Sequence, residues 1–178
     1  VVPSDPPGEG AHFVVTVLDL DPQGVVRVPA ALPGDVALVT VMLANNETGA
    51  VQPIADLARV GRAVGAVVHT DAAQAVGKIP VDVQALGVDL LTLVGHKLYG
   101  PKGIGALYVR RGTALVPRLR GGGQQRGLRP GTEPVPSIVG LGVACSSAAV
   151  RLREDAVRQA ALRDRLEQRL RAAIPGLV

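Results

Sequence analysis

The stretch VDLLTLVGHKLYGPKGIG, residues 88–105, decides the fold prediction for this chain. Its first half is a continuous apolar run, which is typical of a strand buried on both faces of a parallel sheet. Lys97 follows that strand in a glycine-rich turn, and glycines let the backbone turn tightly and approach a ligand closely. Burial disfavours an ammonium group, and an imine-forming amine must be uncharged. Lys97 is therefore predicted to be reactive; the simpler alternative is a strand-end lysine with a solvated head.

Apolar runs on both sides of this stretch alternate between strand and helix patterns. Strands are predicted at residues 13–20, 36–43, 66–69, 89–94 and 106–110. Helical segments are predicted at residues 53–64, 81–86 and 137–173, the last in two parts broken near Ser146 and Ser147. Residues 1–12 are predicted to be loop and residues 21–24 a turn. The alternation predicts an α/β fold, a three-layer αβα arrangement with a mostly parallel sheet and right-handed crossovers.

Composition narrows the classes of function. The 178 residues include 2% aromatics and carry a net charge of +4. The excess arginine lies in residues 151–171, where acidic residues are interleaved with it, as on a solvated helix face. Because base stacking needs aromatic surface, nucleic-acid binding is disfavoured. Residues 137–150 contain glycines and serines and fall short of the ~20 apolar residues of a membrane span, so no membrane partner is predicted.

The cysteine count and the hydropathy bear on location and partners. A single cysteine, Cys145, excludes an internal disulfide and favours a reducing compartment. A cytoplasmic location is therefore expected, with a mitochondrial one left open. The mean hydropathy of +0.29 indicates apolar surface for a missing segment or a partner subunit. No metal site is predicted.

Polar side chains follow three of the predicted strands. Asn45 and Asn46 come after residues 36–43, Asp71 after residues 66–69, and Lys97 after residues 89–94. Ligands of open α/β sheets bind at the carboxyl ends of the strands. A carboxylate and an imine-forming lysine at neighbouring strand ends match a pyridoxal phosphate (PLP) site, in which the carboxylate keeps the pyridine nitrogen protonated.

Two of these residues have simpler interpretations. Asp71 is also a suitable N-cap for a helix over residues 72–76, and that role is compatible with binding a cofactor. Asn46 is also a suitable turn residue in the run NNETG, residues 45–49.

Four motifs occur in one order along the chain: LANNETG (43–49), HTDAAQ (69–74), GHKLYGPKG (95–103) and RPGTE (129–133). Together they resemble the cysteine desulfurase and selenocysteine lyase family of PLP-dependent enzymes, which have the class V aminotransferase fold. The resemblance covers about residues 13–175. It implies the large domain of the PLP-dependent fold type I, incomplete, with residues 1–140 as an N-terminally truncated PLP-binding domain. Residues 141–178 would be connecting helices leading to a missing C-terminal small domain.

The resemblance also implies roles for individual residues. Lys97 would be the catalytic lysine, which binds PLP as a Schiff base and moves the α-proton of the substrate. Asp71 would bind the pyridine nitrogen, and Asn46 and Gln74 would hydrogen-bond the phenolic oxygen. His96 would face the phosphate, where a charge-assisted hydrogen bond is favourable; its simpler alternative is a satisfied core histidine.

Thr132 would reach across a dimer interface to the phosphate held by the other subunit, so a homodimer is expected. The glycines at residues 121–123 lack a following helix signal and are read as a flexible loop near that interface.

Cys145 looks like the family's sulfur-accepting cysteine, but it comes too early in the chain, inside a helical segment, and a buried helical cysteine is inert. The reactive cysteine and the substrate-binding arginine would then lie outside the chain, which alone is expected to be inactive.

The resemblance leaves the reaction open between close alternatives. The leading interpretation is a desulfurase that converts L-cysteine to L-alanine and leaves the sulfur as a persulfide, with a sulfur-acceptor protein as partner. Val94 stands where many desulfurases have a serine that contacts the phosphate, and an apolar residue there resembles the branch of selenocysteine lyases. That enzyme, acting on L-selenocysteine with a selenium acceptor, is the alternative. A non-catalytic dimerising scaffold is the alternative of another class, and an aminotransferase is disfavoured by Asn46 and Gln74.

Overall fold

A single four-stranded sheet organises residues 13–176, the part of the chain that the computed structural model describes. Its strands, in chain order and in spatial order, are β1 (Leu38–Met42), β2 (Val67–Asp71), β3 (Leu90–Val94) and β4 (Gly105–Val109). The pairs β1–β2 and β2–β3 are parallel, whereas β3–β4 is antiparallel. The prediction of a mostly parallel α/β sheet is confirmed. The loop predicted for residues 1–12 lies outside the described residues.

Within residues 13–176 the sheet is accompanied by the helices α1 (Ile54–Ala63), α2 (Val83–Leu86) and α3 (Val135–Ala173). The same residues include 3₁₀ turns at Gly95–Leu98 and Gln125–Gly127. Helix α1 connects β1 to β2 and α2 connects β2 to β3, as parallel pairing requires. The predicted boundary between residues 140 and 141 falls inside α3, and the division into two domains stays a prediction.

The hydrophobic core lies between α1 and one face of the sheet. Leu57 and Ala58 of α1 are buried with Val39, Val68 and Leu91, one from each of the first three strands. These strand residues alternate with others that point to the opposite face, as the period of two in a strand requires. That opposite face is partly open within the described residues.

The open face of the sheet carries both exposed apolar side chains and polar ones. Leu38 and Met42 of β1 are 52% and 42% exposed, and Leu107 of β4 is 49% exposed. Thr40 and His69 lie on the same face, at paired positions of β1 and β2. This face leads directly to the carboxyl ends of the parallel strands, where the candidate site lies.

The strand predicted at residues 13–20 is wrong. Only Leu20 pairs, in an isolated antiparallel bridge with Val26. An apolar run becomes a strand only where a neighbouring strand supplies the hydrogen bonds of a ladder, and Phe13 and Val14 are 71% and 90% exposed. The turn at residues 21–24 is confirmed, because the Asp21 Oδ1 atom accepts hydrogen bonds from the backbone of Gln23 and Val25.

The break predicted near Ser146 and Ser147 is also wrong, because α3 runs unbroken for 39 residues. A serine inside a helix is unfavourable by well under about 1 kcal/mol, which is too little to break a helix that continues on both sides. By length and composition alone α3 could cross a membrane: its most apolar 18-residue window has a mean hydropathy of 1.5 and is 6% buried. A single helix of this kind is weak evidence for a membrane, since helices of water-soluble proteins pass the same test.

Helix α3 packs against the turn that follows β3. A Cβ atom on Gly100 would lie 3.1 Å from the Cβ atom of Ala144, and one on Gly140 would lie 2.6 Å from the Cγ atom of Pro101. The small residues therefore allow the helix to lie directly on this turn. Because Lys97 lies in the first part of this turn, its position depends on how α3 packs against the turn.

Gly105→Ala is expected to destabilise the fold by about 1–3 kcal/mol, as overpacking of a tight contact does. The added Cβ atom would lie 2.6 Å from the backbone oxygen of Leu93, inside the β3–β4 pair. Gly34→Ala is the matched control, because a Cβ atom there meets nothing within 4 Å. Urea unfolding of both variants measures the difference; equal midpoints would contradict the prediction.

Candidate cofactor site

The carboxyl ends of the three parallel strands lie level with one another. Met42 of β1 is paired with Asp71 of β2, which is paired in turn with Thr92 of β3. Asn46 follows β1, Asp71 ends β2, and Lys97 follows β3. The structure therefore brings these three predicted site residues to one edge of the sheet.

The loop after β1 is closed by Asn45. Its Oδ1 atom accepts hydrogen bonds from the backbone of Glu47 (2.8 Å) and Thr48 (2.9 Å), and its own backbone N–H donates to Ala50 (2.9 Å). Asn46 is exposed, and its side-chain amide has no hydrogen-bond partner among the described residues. The turn role considered for Asn46 thus belongs to Asn45, which leaves the amide of Asn46 available to a ligand.

Asp71 ends β2 with an exposed carboxylate. Its Oδ1 atom accepts the backbone N–H of Ala73 at 2.8 Å, and within the described residues Oδ2 has no partner. The helix predicted over residues 72–76 does not form; a series of turns replaces it. The role of Asp71 as a helix N-cap is therefore wrong, and one carboxylate oxygen remains free to accept a hydrogen bond from a ligand.

Lys97 lies in the 3₁₀ turn Gly95–Leu98 and is exposed, so the expectation of a buried lysine is wrong. The strand ends at Val94, three residues earlier, and the chain leaves the core in between. The backbone N–H of Gly100 closes the turn by donating to the carbonyl of Gly95 at 3.0 Å. A Cβ atom on Gly95 would lie 2.9 Å from the carbonyl oxygen of Pro101, so the turn requires glycine there.

Gln74 lies in the turns after Asp71, and its Oε1 atom accepts a hydrogen bond from Lys78 Nζ at 3.1 Å. Burial, and secondly the positive charge of Lys97, lower the pKa of the Lys78 amine. The amine of Lys97 therefore lies close enough to Lys78 for its charge to be felt there. Sequence reasoning missed Lys78, and no local pattern marks it, because its neighbourhood with Lys97 arises from packing.

His96 and Thr132 are both exposed. The alternative of a core histidine is therefore wrong for His96. Thr132 lies in the loop before α3, and among the described residues no hydrogen bond joins it to the other predicted site residues. Cys145 is a half-buried free cysteine within α3, so its predicted helical setting is confirmed and its full burial is not.

Sequence reasoning quoted His69 within the motif HTDAAQ but gave it no role. Its Nδ1 atom lies 2.8 Å from Thr40 Oγ1, and its Nε2 atom lies 2.9 Å from Thr92 Oγ1. Burial lowers the pKa of His69, and the negative charge of Asp71 opposes that shift in part. The imidazole is therefore neutral at neutral pH.

We expect the folded protein to lose stability below about pH 6.5, the ordinary pKa of histidine. Because the pKa of His69 is lowered by folding, the unfolded chain binds this proton first as the pH falls, and protonation favours unfolding. Urea unfolding between pH 7.5 and pH 5 measures the effect. In His69→Gln the part of the pH dependence that His69 contributes should vanish; an unchanged dependence would contradict the assignment.

An amine, a carboxylate and two amides thus lie at or just after the carboxyl ends of the strands in a mostly parallel α/β sheet, and these are groups that suit a PLP site. The family model for class-V aminotransferases matches residues 9–177. The chain belongs to the class-V aminotransferase family.

Within this family, the chain is similar to several individual proteins. The chain is 52% identical over 171 residues to "Cysteine desulfurase 2" of Trichormus variabilis, covering 94% of this chain and 43% of that protein. Among solved structures it is similar to a NifS-like protein, with a TM-score of 0.84 and 40% identity over 90% of this chain and 45% of that one. It is also similar to SspA in complex with cysteine, with a TM-score of 0.72 and 47% identity over 75% of this chain and 40% of that one. The chain thus spans less than half the length of these relatives.

Proposed function

We propose that the complete protein is a PLP-dependent cysteine desulfurase, which converts L-cysteine to L-alanine and passes the sulfur to an enzyme cysteine as a persulfide. The observation that carries this proposal is that Asp71 and the turn holding Lys97 both lie at the carboxyl edge of the sheet. The similarity to "Cysteine desulfurase 2", and to SspA bound to cysteine, supports the choice of substrate.

The residues at this edge fit PLP by the chemistry of their donors and acceptors. The free oxygen of Asp71 suits a protonated ring nitrogen, and the exposed amine of Lys97 suits the aldehyde carbon. The amides of Asn46 and Gln74 suit the phenolic oxygen. His96 suits the phosphate, and Thr132 would meet the phosphate of a second subunit. When bound, PLP supplies an electron sink for the bond-breaking at the substrate Cα atom.

Each of these side chains has a separate task in the proposed reaction. Lys97 takes the α-proton of the substrate and returns a proton to the product, as a general base and acid. Asp71 holds the proton on the ring nitrogen by a charge-assisted hydrogen bond, which is about twice as strong as a neutral one. His96 offers a hydrogen bond and, when protonated, a positive charge to the phosphate.

The sulfur-accepting cysteine is proposed not to be Cys145. Its thiol lies in the first third of α3, and a rigid helix cannot carry it toward a substrate at the sheet edge. The proposal also includes a homodimer, a sulfur-acceptor protein as partner, and a cytoplasmic location. The dimer would supply Thr132 to the phosphate of the opposite subunit.

The test uses the protein expressed from its complete gene and loaded with PLP. We expect a visible absorbance band that is absent from Lys97→Ala, and alanine formation from L-cysteine. Turnover of L-selenocysteine without turnover of L-cysteine would make the protein a selenocysteine lyase instead. Absence of a lysine-dependent band would refute both enzymes and favour a non-catalytic scaffold.

A further inference from the structure

A hydrogen-bonded row of three side chains crosses the open face of the sheet. Thr40 of β1, His69 of β2 and Thr92 of β3 are joined by contacts of 2.8 Å and 2.9 Å between the hydroxyl oxygens and the two ring nitrogens. Both nitrogens of the imidazole are therefore occupied. A ring held at both ends cannot turn toward a third partner without breaking one of these bonds.

A charged side chain, that of Asp71, lies on the same face as His69. His69 and Asp71 are two residues apart on β2, so their side chains lie on the same face of the sheet. The side chains that hold the ring from β1 and β3 are uncharged hydroxyls, and Asp71 is the charged group whose field reaches His69. The pull of Asp71 on a proton at His69 is outweighed by burial of the ring.

A charged or freely turning imidazole beside Asp71 would harm a PLP site. An imidazolium would form an ion pair with the carboxylate and compete with the ring nitrogen of the cofactor for it. A free imidazole N–H would compete in the same way by donating a hydrogen bond. The carboxylate serves the cofactor best when the neighbouring imidazole is neutral and engaged elsewhere.

We propose that His69 is a positioning residue: Thr40 and Thr92 engage both nitrogens of its neutral ring, so that the ring does not bind Asp71 and the carboxylate stays available to the ring nitrogen of PLP. The proposal rests on the proposed function for the identity of the cofactor. The arrangement of the row itself is independent of it. A purely structural role, in which the row only joins three strands, is the competing explanation.

Three substitutions separate these explanations. Thr92→Val keeps the shape of the side chain and removes the hydroxyl, whereas Thr92→Ser keeps the hydroxyl. Thr70→Val is the matched control: Thr70 is also a strand threonine, its Oγ1 atom donates to the carbonyl of Val41 at 2.8 Å, and it lies on the opposite face. Thr92→Val and Thr70→Val each remove one hydrogen bond from the sheet.

Two readouts are needed, both in the protein expressed from its complete gene. Histidine NMR titration of the cofactor-free protein, with the signal assigned by its loss in His69→Gln, reports the protonation of His69. Titration of the same apo-proteins with PLP reports the affinity for the cofactor. We expect Thr92→Val to raise the pKa of His69 and to weaken PLP binding about tenfold, the effect of one hydrogen bond. Thr92→Ser should restore both values and Thr70→Val should change neither.

Thr92→Val would overturn the inference if it left the titration of His69 unchanged, or weakened PLP binding no more than Thr70→Val does. Either result, with a lysine-dependent band in the unsubstituted protein, refutes this inference alone. Absence of that band in the unsubstituted protein refutes the proposed function, and the role of His69 toward PLP with it.

Discussion

Lys97→Ala is expected to abolish covalent binding of PLP and to lower turnover of L-cysteine by at least about 10²–10⁴-fold, the usual contribution of a general acid–base group. The physical reason is that this exposed amine, held at the sheet edge by the Gly95–Leu98 turn, is the proposed nucleophile and proton carrier. Borohydride reduction of the PLP-loaded protein, followed by peptide mass spectrometry, measures the covalent link directly.

Lys102→Ala is the matched control for this prediction. Lys102 is an exposed lysine of the same glycine-rich stretch and has no place in the proposed site. It should keep both the covalent link and the turnover. Modification of Lys102, or of the neighbouring Lys78, in place of Lys97 would contradict the assignment even if the protein bound PLP.

Asp71→Asn is expected to weaken PLP binding by about 10–100-fold, which corresponds to the roughly 1.5–3 kcal/mol of a hydrogen bond to a charged group. The amide has the shape of the carboxylate and can still accept the N–H of Ala73, but it cannot hold a proton on the ring nitrogen. Turnover should fall further, by roughly 10²–10³-fold, because the electron sink is weakened when charge develops. Titration of the apo-protein and steady-state assays measure the two effects.

Asp82→Asn serves as the control for Asp71→Asn. Asp82 is also an exposed aspartate at a turn, and its Oδ1 atom accepts the backbone N–H of Gln84 at 2.7 Å as the cap of α2. Its substitution changes the same chemical group far from the site and should affect stability without affecting PLP binding. Equal losses of affinity in the two variants would show that the effect of Asp71→Asn is not specific to the site.

Much of this fold was predictable from local patterns. The strands β1 to β4 and helix α1 lie within two residues of their predicted ends, because buried parallel strands and amphipathic helices have characteristic periods. Two wrong predictions have different causes. The apolar run at residues 13–20 has no partner strand among the described residues. The serines of α3 do not break a helix that continues on both sides.

Some features of the candidate site could also be predicted from the sequence, and others could not. Asn46, Asp71 and Lys97 could be assigned to one edge because each follows a parallel strand. The exposure of Lys97 could not be predicted, since it depends on how far the chain leaves the core after β3. The neighbourhood of Lys78 and Lys97 depends on packing of the turns after β2 against Leu98, which a Cβ atom on Gly77 would approach at 2.5 Å.

The sequence by itself determined most of the secondary-structure elements, the mostly parallel arrangement of the sheet and the family, because periodicity and the order of motifs are properties of the chain alone. Only the tertiary structure decided what surrounds Asp71. His69 meets Thr40 and Thr92 across separations of 29 and 23 residues. Those contacts exist because Thr40 is paired with His69 across β1 and β2, whereas Thr92, which is paired with Asp71, lies diagonally from His69 on the same face. This register is a property of the assembled sheet.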